Sequence, residues 1–310
     1  MACSKKDGST DRDGGAPQRF EQHPLSEVAC VVGVVSGKGG VGKSLVSCSL
    51  AVELARRGLK VGILDADITG PSVPRMLGLG GRHATTIGDL FLPAVGPLGI
   101  KVMSANMLLA HENDPVLWRG PVLAGAIRQF WSQTSWGPID VLVVDMPPGT
   151  GDVALTVYQA LPVDGTVIVT TPQDLVSMIV GKAVKMAAKM GVGVLGLVEN
   201  MGYATCPHCG ERIDVFGPSH LERDSELAGV AALDRLPQDP ALAAACDAGD
   251  LARCLPADFL PKTVARVLAL GNEPAPVPDV AAMDARYEAA YGAVPQPTAE
   301  ETVDMTPEEV

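Results

Sequence analysis

The sequence predicts an α/β fold: a doubly wound, mostly parallel sheet with helices on both faces. Three observations carry this reading. Short, continuous apolar runs recur along the chain, as in strands covered on both faces. Helical patterns separate them, and such alternation builds a parallel sheet. A glycine-rich loop joins the first apolar run to the first helical pattern.

The elements follow in order. Residues 1–27 are polar, with Gly14, Gly15, Pro17 and Pro24. They offer little surface to bury against chain entropy and are expected to form a disordered arm. VACVVGVV, Val28–Val35, is the first strand. A helix is expected over Lys43–Arg57, stopped by Gly58, and KVGILD, Lys60–Asp65, is the next strand. VLVVD (Val141–Asp145), TVIVT (Thr166–Thr170) and VLGLVEN (Val194–Asn200) repeat the buried-strand signature, with a helical pattern over Asp174–Met190. The alternation runs to about Leu270, so residues 28–271 read as one domain of about 240 residues rather than two. After Gly271, prolines 274, 276, 278, 295, 297 and 307 lie among acids. Residues 272–310 are expected as an acidic, proline-rich tail, with a short helix over Asp284–Tyr291. Such a tail either solubilises the chain or docks a basic partner.

Composition sets outer bounds. The chain has 310 residues, 47% hydrophobic and 19% charged, which suits a globular core without disulfides. No apolar run reaches the length of a membrane span, and the N-terminus lacks the apolar core of a secretory signal. The net charge is −12. From Asn272 onward there are nine acids and one base, so two thirds of that imbalance lies in the last 39 residues. An acidic chain argues against a nucleic-acid surface spread over the protein. Seven cysteines, an odd number, with no export signal point to reduced thiols in a cytoplasm.

Gly37, Lys38, Gly39, Gly40, Val41, Gly42, Lys43 and Ser44 fit the phosphate-loop pattern G-x-x-x-x-G-K-[ST]. Glycines let backbone N–H groups converge on phosphate oxygens without Cβ clashes. The next helix, opening with Lys43, Ser44 and Leu45, adds its partial positive end. Lys43 is expected to reach the β- and γ-phosphates of ATP, and the Ser44 hydroxyl to coordinate Mg²⁺. Asp145 ends an apolar strand in VLVVDMPPGTGD. A carboxylate there suits Mg²⁺, held directly or through water, although an Asp can also cap a helix start. Asp65 and Asp67 also stand at a strand end. One of them could position the attacking water, and spacing alone does not separate them. Asn200 follows another strand; its amide both donates and accepts, which fits an adenine edge, or equally a turn.

Cys206-Pro207-His208-Cys209-Gly210 has the spacing of a metal knuckle. One such pair supplies two thiolates, whereas Zn²⁺ or a [4Fe–4S] cluster usually takes four ligands. Cys246 and Cys254 are poorly spaced to complete it, and Cys30 and Cys48 lie in apolar elements where a thiol packs as a small hydrophobe. Two chains related by a two-fold axis would bring four thiolates together. A dithiol redox pair and a structural zinc site remain open.

GKGGVGKS also resembles the deviant phosphate loop of the MinD, ParA, nitrogenase-iron-protein and Mrp group of dimeric ATPases. That resemblance implies that Lys38 crosses a nucleotide-sandwich dimer to the partner's ATP. Together GKGGVGKS, LDADITGPSVPRMLG, PVLWRGP (Pro115–Pro121), DMPPGTGD, TPQD (Thr171–Asp174) and VENM…CPHCGERIDVFG resemble the Mrp/ApbC-type iron–sulfur carrier ATPases over about Val28–Leu270. The resemblance implies a homodimer that holds a labile [4Fe–4S] cluster between Cys206 and Cys209 of each subunit. It further implies transfer of the cluster to apo-proteins, with slow ATP hydrolysis as the switch; the composition and charge argue against a membrane or nucleic-acid partner. It assigns Asp67 to the attacking water, with Asp65 secondary, and Asn200 to the base. Some members carry a four-cysteine motif or a small domain ahead of the ATPase; this arm has only Cys3. The segment LVSMIVGKAVKMA after TPQD is less typical of the family.

Two other readings share the nucleotide residues. A MinD- or ParA-like positioning ATPase calls for a basic amphipathic C-terminus or a basic DNA face. A zinc-stabilised ATPase differs only at the metal.

Overall fold

The computed structural model describes residues 20–67, 70, 72–108, 120–173 and 176–292. Cys3, most of the PVLWRGP segment, Asp174 and residues 293–310 lie outside them. The strands are β1 (Ser26–Val28), β2 (Val31–Ser36), β3 (Val61–Asp65), β4 (Thr85–Ile87), β5 (Leu90–Leu92), β6 (Ala94–Val95), β7 (Lys101–Ser104), β8 (Gly137–Ile139), β9 (Val141–Asp145), β10 (Gly165–Thr170), β11 (Val194–Thr205), β12 (Arg212–Ile213) and β13 (Ala232–Pro237). The helices are α1 (Lys43–Arg56), α2 (Val73–Met76), α3 (Gly120–Ser132), α4 (Asp152–Ala160), α5 (Val176–Lys189), α6 (Leu221–Ala228), α7 (Pro240–Ala248), α8 (Leu251–Cys254), α9 (Pro261–Ala269) and α10 (Val280–Tyr291).

The central sheet runs β12-β11-β10-β2-β9-β3-β7-β6, with β13 also paired to β11. Its inner pairs are parallel; β12 and β6 are antiparallel edges. Alternation along β2 divides its side chains between two cores. Val32 and Val34 pack with Val46, Leu50 and Leu54 of α1 on one face. Val31 and Val35 pack on the other with Ile127, Val157, Val180 and Val184. This is the expected doubly wound sheet, covered on both faces. Four of the five predicted strands are present, and the first, Val28–Val35, is split between the end of β1 at Val28 and β2 from Val31. β7 and β13 escaped the sequence because they are short and interrupted by polar residues.

Both ends differ from expectation. The polar arm was expected to run to residue 27, but Phe20 packs on the second core and its carbonyl accepts from Trp131 Nε1 at 2.7 Å. β1 pairs in parallel with β8. The acidic tail was expected from residue 272. The helix expected over Asp284–Tyr291 is present within α10, but the segment is not a free tail: Val194 N donates to Pro276 O at 2.9 Å, and α10 packs on α6 and buries Met283 completely, its Cε beside Gly181 of α5. A few well-placed apolar groups, Phe20 and Met283, anchor otherwise polar segments.

Candidate functional site

The glycine-rich loop leaves β2 and enters α1, as its spacing requires. Gly40 and Gly42 have φ of 78° and 80°, which favours glycine. A Cβ at Gly37 would lie 2.0 Å from Ile179 Cγ2 and 2.9 Å from Ile179 O, so α5 sits directly against the loop.

Beside the loop, β3 and β9 are paired with Asp65 opposite Asp145. Their last residues therefore deliver two carboxylates to one place. Lys43 Nζ lies 2.8 Å from Asp145 Oδ1 and 3.6 Å from Asp67 Oδ2. Ser44 Oγ donates to Asp145 Oδ2 at 2.5 Å. Ser47 Oγ, one helical turn beyond Lys43, donates to Asp145 Oδ1 at 2.8 Å. Sequence reading missed Ser47, although its i+4 spacing from Lys43 puts both on one helix face.

The two acids of LDAD separate in space because β3 ends at Asp65. Asp65 is wholly buried and accepts from Asp67 N and Ser104 Oγ, each at 3.2 Å. Burial and the neighbouring Asp145 push its pKa well above the ordinary carboxylate value, against the opposing pull of Lys43. Asp67 is the acid that turns toward Lys43. Asp65 is the one that supports the turn.

Asn200 was expected at an adenine edge. The structure sets it against the phosphate loop, where its Nδ2 donates to Val41 O at 2.9 Å. Its Oδ1 is buried without a hydrogen-bond partner among the described residues. A Cβ at Gly42 would come within 2.1 Å of Nδ2, so the loop and this amide are in direct contact. β11 lies one strand from β2, with β10 between them, which brings Asn200 within reach of the loop that leaves β2.

Lys38 is half-buried, and its Nζ donates to Gln173 Oε1 at 2.5 Å within the same chain. Gly149 N donates to Ser36 O at 2.9 Å, so the DMPPGTGD loop is tied to the end of β2. All-oxygen donors at Ser44 and Asp145 beside a lysine and a glycine loop suit a Mg²⁺–phosphate group.

The cysteine pair sits at the far end of β11. The β11–β12 hairpin pairs Thr205 with Arg212, and Cys206 N donates to Glu211 O at 2.8 Å. Gly210 N closes the turn on Cys206 O at 2.9 Å. Cys206 is half-buried, and Cys209 and His208 are exposed. Hydrogen bonds from the backbone N–H groups of Cys209 and His208, then from the Cys209 side chain, hold the Cys206 thiol below its ordinary pKa. No group of three or more His, Cys, Asp or Glu assembles a metal site among the described residues. The pair therefore has two thiolates and no third ligand of its own there. Cys30, Cys48 and Cys246 are buried, the first two as expected, while Cys254 is exposed.

Residues 27–267 match the family model of the NUBPL iron-transfer P-loop NTPases. An iron–sulfur cluster carrier protein of Clostridium perfringens is 46% identical over 249 residues, covering 76% of this chain and 87% of the relative. One from Saccharolobus solfataricus is 44% identical over 230 residues, covering 74% and 78%. A nucleotide-binding protein from Archaeoglobus fulgidus, solved in complex with ADP, superposes with a TM-score of 0.67 at 40% identity, covering 76% and 93%. The cell-division ATPase MinD of Pyrococcus furiosus shares the fold alone, with a TM-score of 0.55 at 21% identity over 77% and 97%. No described helix is long and apolar enough to cross a membrane.

Proposed function

The chain belongs to the NUBPL iron-transfer P-loop NTPase family, and on that premise we propose that it is an ATP-dependent carrier of a [4Fe–4S] cluster. The observation that carries the reading is the pair of accessible thiols at the tip of the strand that also contacts the phosphate loop. Two thiolates per chain support a homodimer in which Cys206 and Cys209 of each subunit complete four ligands. The cluster is cargo, passed to apo-proteins in the cytoplasm.

ATP hydrolysis at this site is slow and serves as the switch. Backbone N–H groups of Gly37–Leu45 cradle the phosphates, and Lys43 leaves Asp145 to neutralise the β- and γ-oxygens. Ser44 and Asp145 would hold Mg²⁺, which supplies charge neutralisation at the phosphates when bound. Asp67 orients the attacking water. Lys38, released from Gln173, reaches the ATP of the other subunit. Asn200, whose Nδ2 holds the loop at Val41 O, offers its unpaired Oδ1 to the adenine edge.

The deciding experiment is an anaerobic iron, sulfide and zinc assay, read beside the oligomeric mass with and without ATP. About four iron and four sulfide per dimer are expected, lost in Cys206→Ala while ATP binding persists. One zinc per dimer, or no metal after reconstitution with iron and sulfide, would leave a plain ATPase switch of the MinD or ParA kind with a structural or redox cysteine pair.

A further inference from the structure

β11 links the two ends of the proposed machine, and it does not do so as a regular strand. In parallel register with β13, Glu199 faces Arg235 and Tyr203 faces Pro237. Four steps on β11 thus match two on β13, so the strand bulges between Glu199 and Tyr203. Asn200, which grips the phosphate loop, lies on that bulge, and Met201 beside it takes a positive φ of 56°. Cys206 follows three residues after Tyr203.

One side chain spans the bulge. Arg235 Nε donates to Glu199 Oε1 at 2.9 Å on the near side. Its Nη2 donates to Gly202 O inside the bulge and to Asp214 Oδ1, at 2.5 Å, just past β12 on the returning arm of the cysteine hairpin. The guanidinium lies 5.5 Å from the centre of the Tyr203 ring, whose other cation neighbour is Arg212 at 4.4 Å. A Cβ at Gly202 would fall 2.6 Å from Arg235 Cγ, so only glycine admits the arginine there. Glu199 is fully buried and is further held by Ser219 Oγ at 2.8 Å and by His220 N. One end of the clasp is therefore fixed in the body, and the other, at Asp214, is on a half-exposed hairpin.

We propose that Arg235 is a positioning residue that ties the Cys206–Cys209 hairpin to the bulge carrying Asn200, so that a shift of the phosphate loop on binding nucleotide is transmitted to the two thiols. A planar fork with fixed donors suits this task. A lysine, with one point charge, cannot reach a carboxylate, a carbonyl and a second carboxylate together. The proposal rests on the carrier reading only for the use made of the coupling; the coupling itself needs no cluster.

The test uses the full-length apo-protein. Alkylation of Cys206 and Cys209 by a maleimide is followed by peptide mass mapping, with and without Mg-ATP. In the unmodified chain, nucleotide should change the alkylation rate by about fivefold or more, the lower end of ordinary site-to-site coupling. In Arg235→Leu and Arg235→Lys that ratio should collapse to unity, with ATP affinity kept within about twofold. Asp214→Ala removes the acceptor at the hairpin end alone and should give the same loss; it decides the matter where the arginine variants fail to fold. An unmodified chain with no nucleotide effect on the thiols, or an Asp214→Ala variant that keeps the whole effect, would overturn the proposal. So would an Arg235 variant that loses ATP affinity together with the response. Failure to hold iron and sulfide would instead sink the carrier reading and leave this readout untouched.

Discussion

Lys43 Nζ and Asp145 Oδ1 lie 2.8 Å apart with both side chains buried, and Ser44 and Ser47 close the remaining carboxylate positions. The groups suited to hold phosphate and Mg²⁺ are therefore bonded to one another in this state. Binding must exchange these contacts for those with the nucleotide.

Lys43→Met should weaken ATP binding by about tenfold to a hundredfold, the range expected when a charge-assisted hydrogen bond is lost. Titration calorimetry with Mg-ATP checks it. An unchanged Kd would remove Lys43 from the phosphate contacts.

Asp65 makes stability depend on pH. Its folded pKa is raised, chiefly by burial and then by Asp145, so the folded chain keeps this proton more tightly than the unfolded one. Stability then falls as pH rises above the ordinary value of 3.8 and levels off above the folded value. Asp65→Asn preserves an acceptor for Asp67 N and a partner for Ser104 Oγ but cannot ionise. Its stability relative to the native chain should grow from pH 4 to pH 8, as read from urea midpoints. A pH-independent difference would mean that Asp65 is not held protonated.

Gly42→Ala forces a side chain to φ 80°, which costs about 1–2 kcal/mol, and drives its Cβ into Asn200 Nδ2. Both the melting temperature and ATP affinity should fall. Adding Asn200→Ala should recover the steric share but not the backbone share. Thermal melts of the four members of this cycle would then be non-additive, and strict additivity would contradict the contact.

Met283→Ala should destabilise the protein by about 2–5 kcal/mol, because it empties a completely buried site on α10. A segment merely trailing from the body would show almost no change in a denaturant melt.

Iron and sulfide content provides the remaining check. Cys206→Ala should hold no cluster yet bind ATP, since the knuckle and the phosphate loop lie at opposite ends of the β11 bulge. A variant that retained full iron and sulfide would exclude Cys206 as a ligand.

The sequence by itself determined the phosphate loop, the strand–helix alternation and the cysteine knuckle. Each is written in consecutive residues: glycines where φ turns positive, unbroken apolar runs for buried strands, two cysteines spaced for one turn. The tertiary structure decided the rest. It chose Asp67 over Asp65 as the acid facing Lys43, because β3 ends between them. It set Asn200 against the phosphate loop, and it drew Ser47, Glu199 and Arg235 into the two networks. It packed Phe20 and Met283 from segments whose polar composition pointed to an arm and a tail. These outcomes depend on which strands become neighbours, and that pairing brings together groups far apart in the chain, whose meeting no local pattern records.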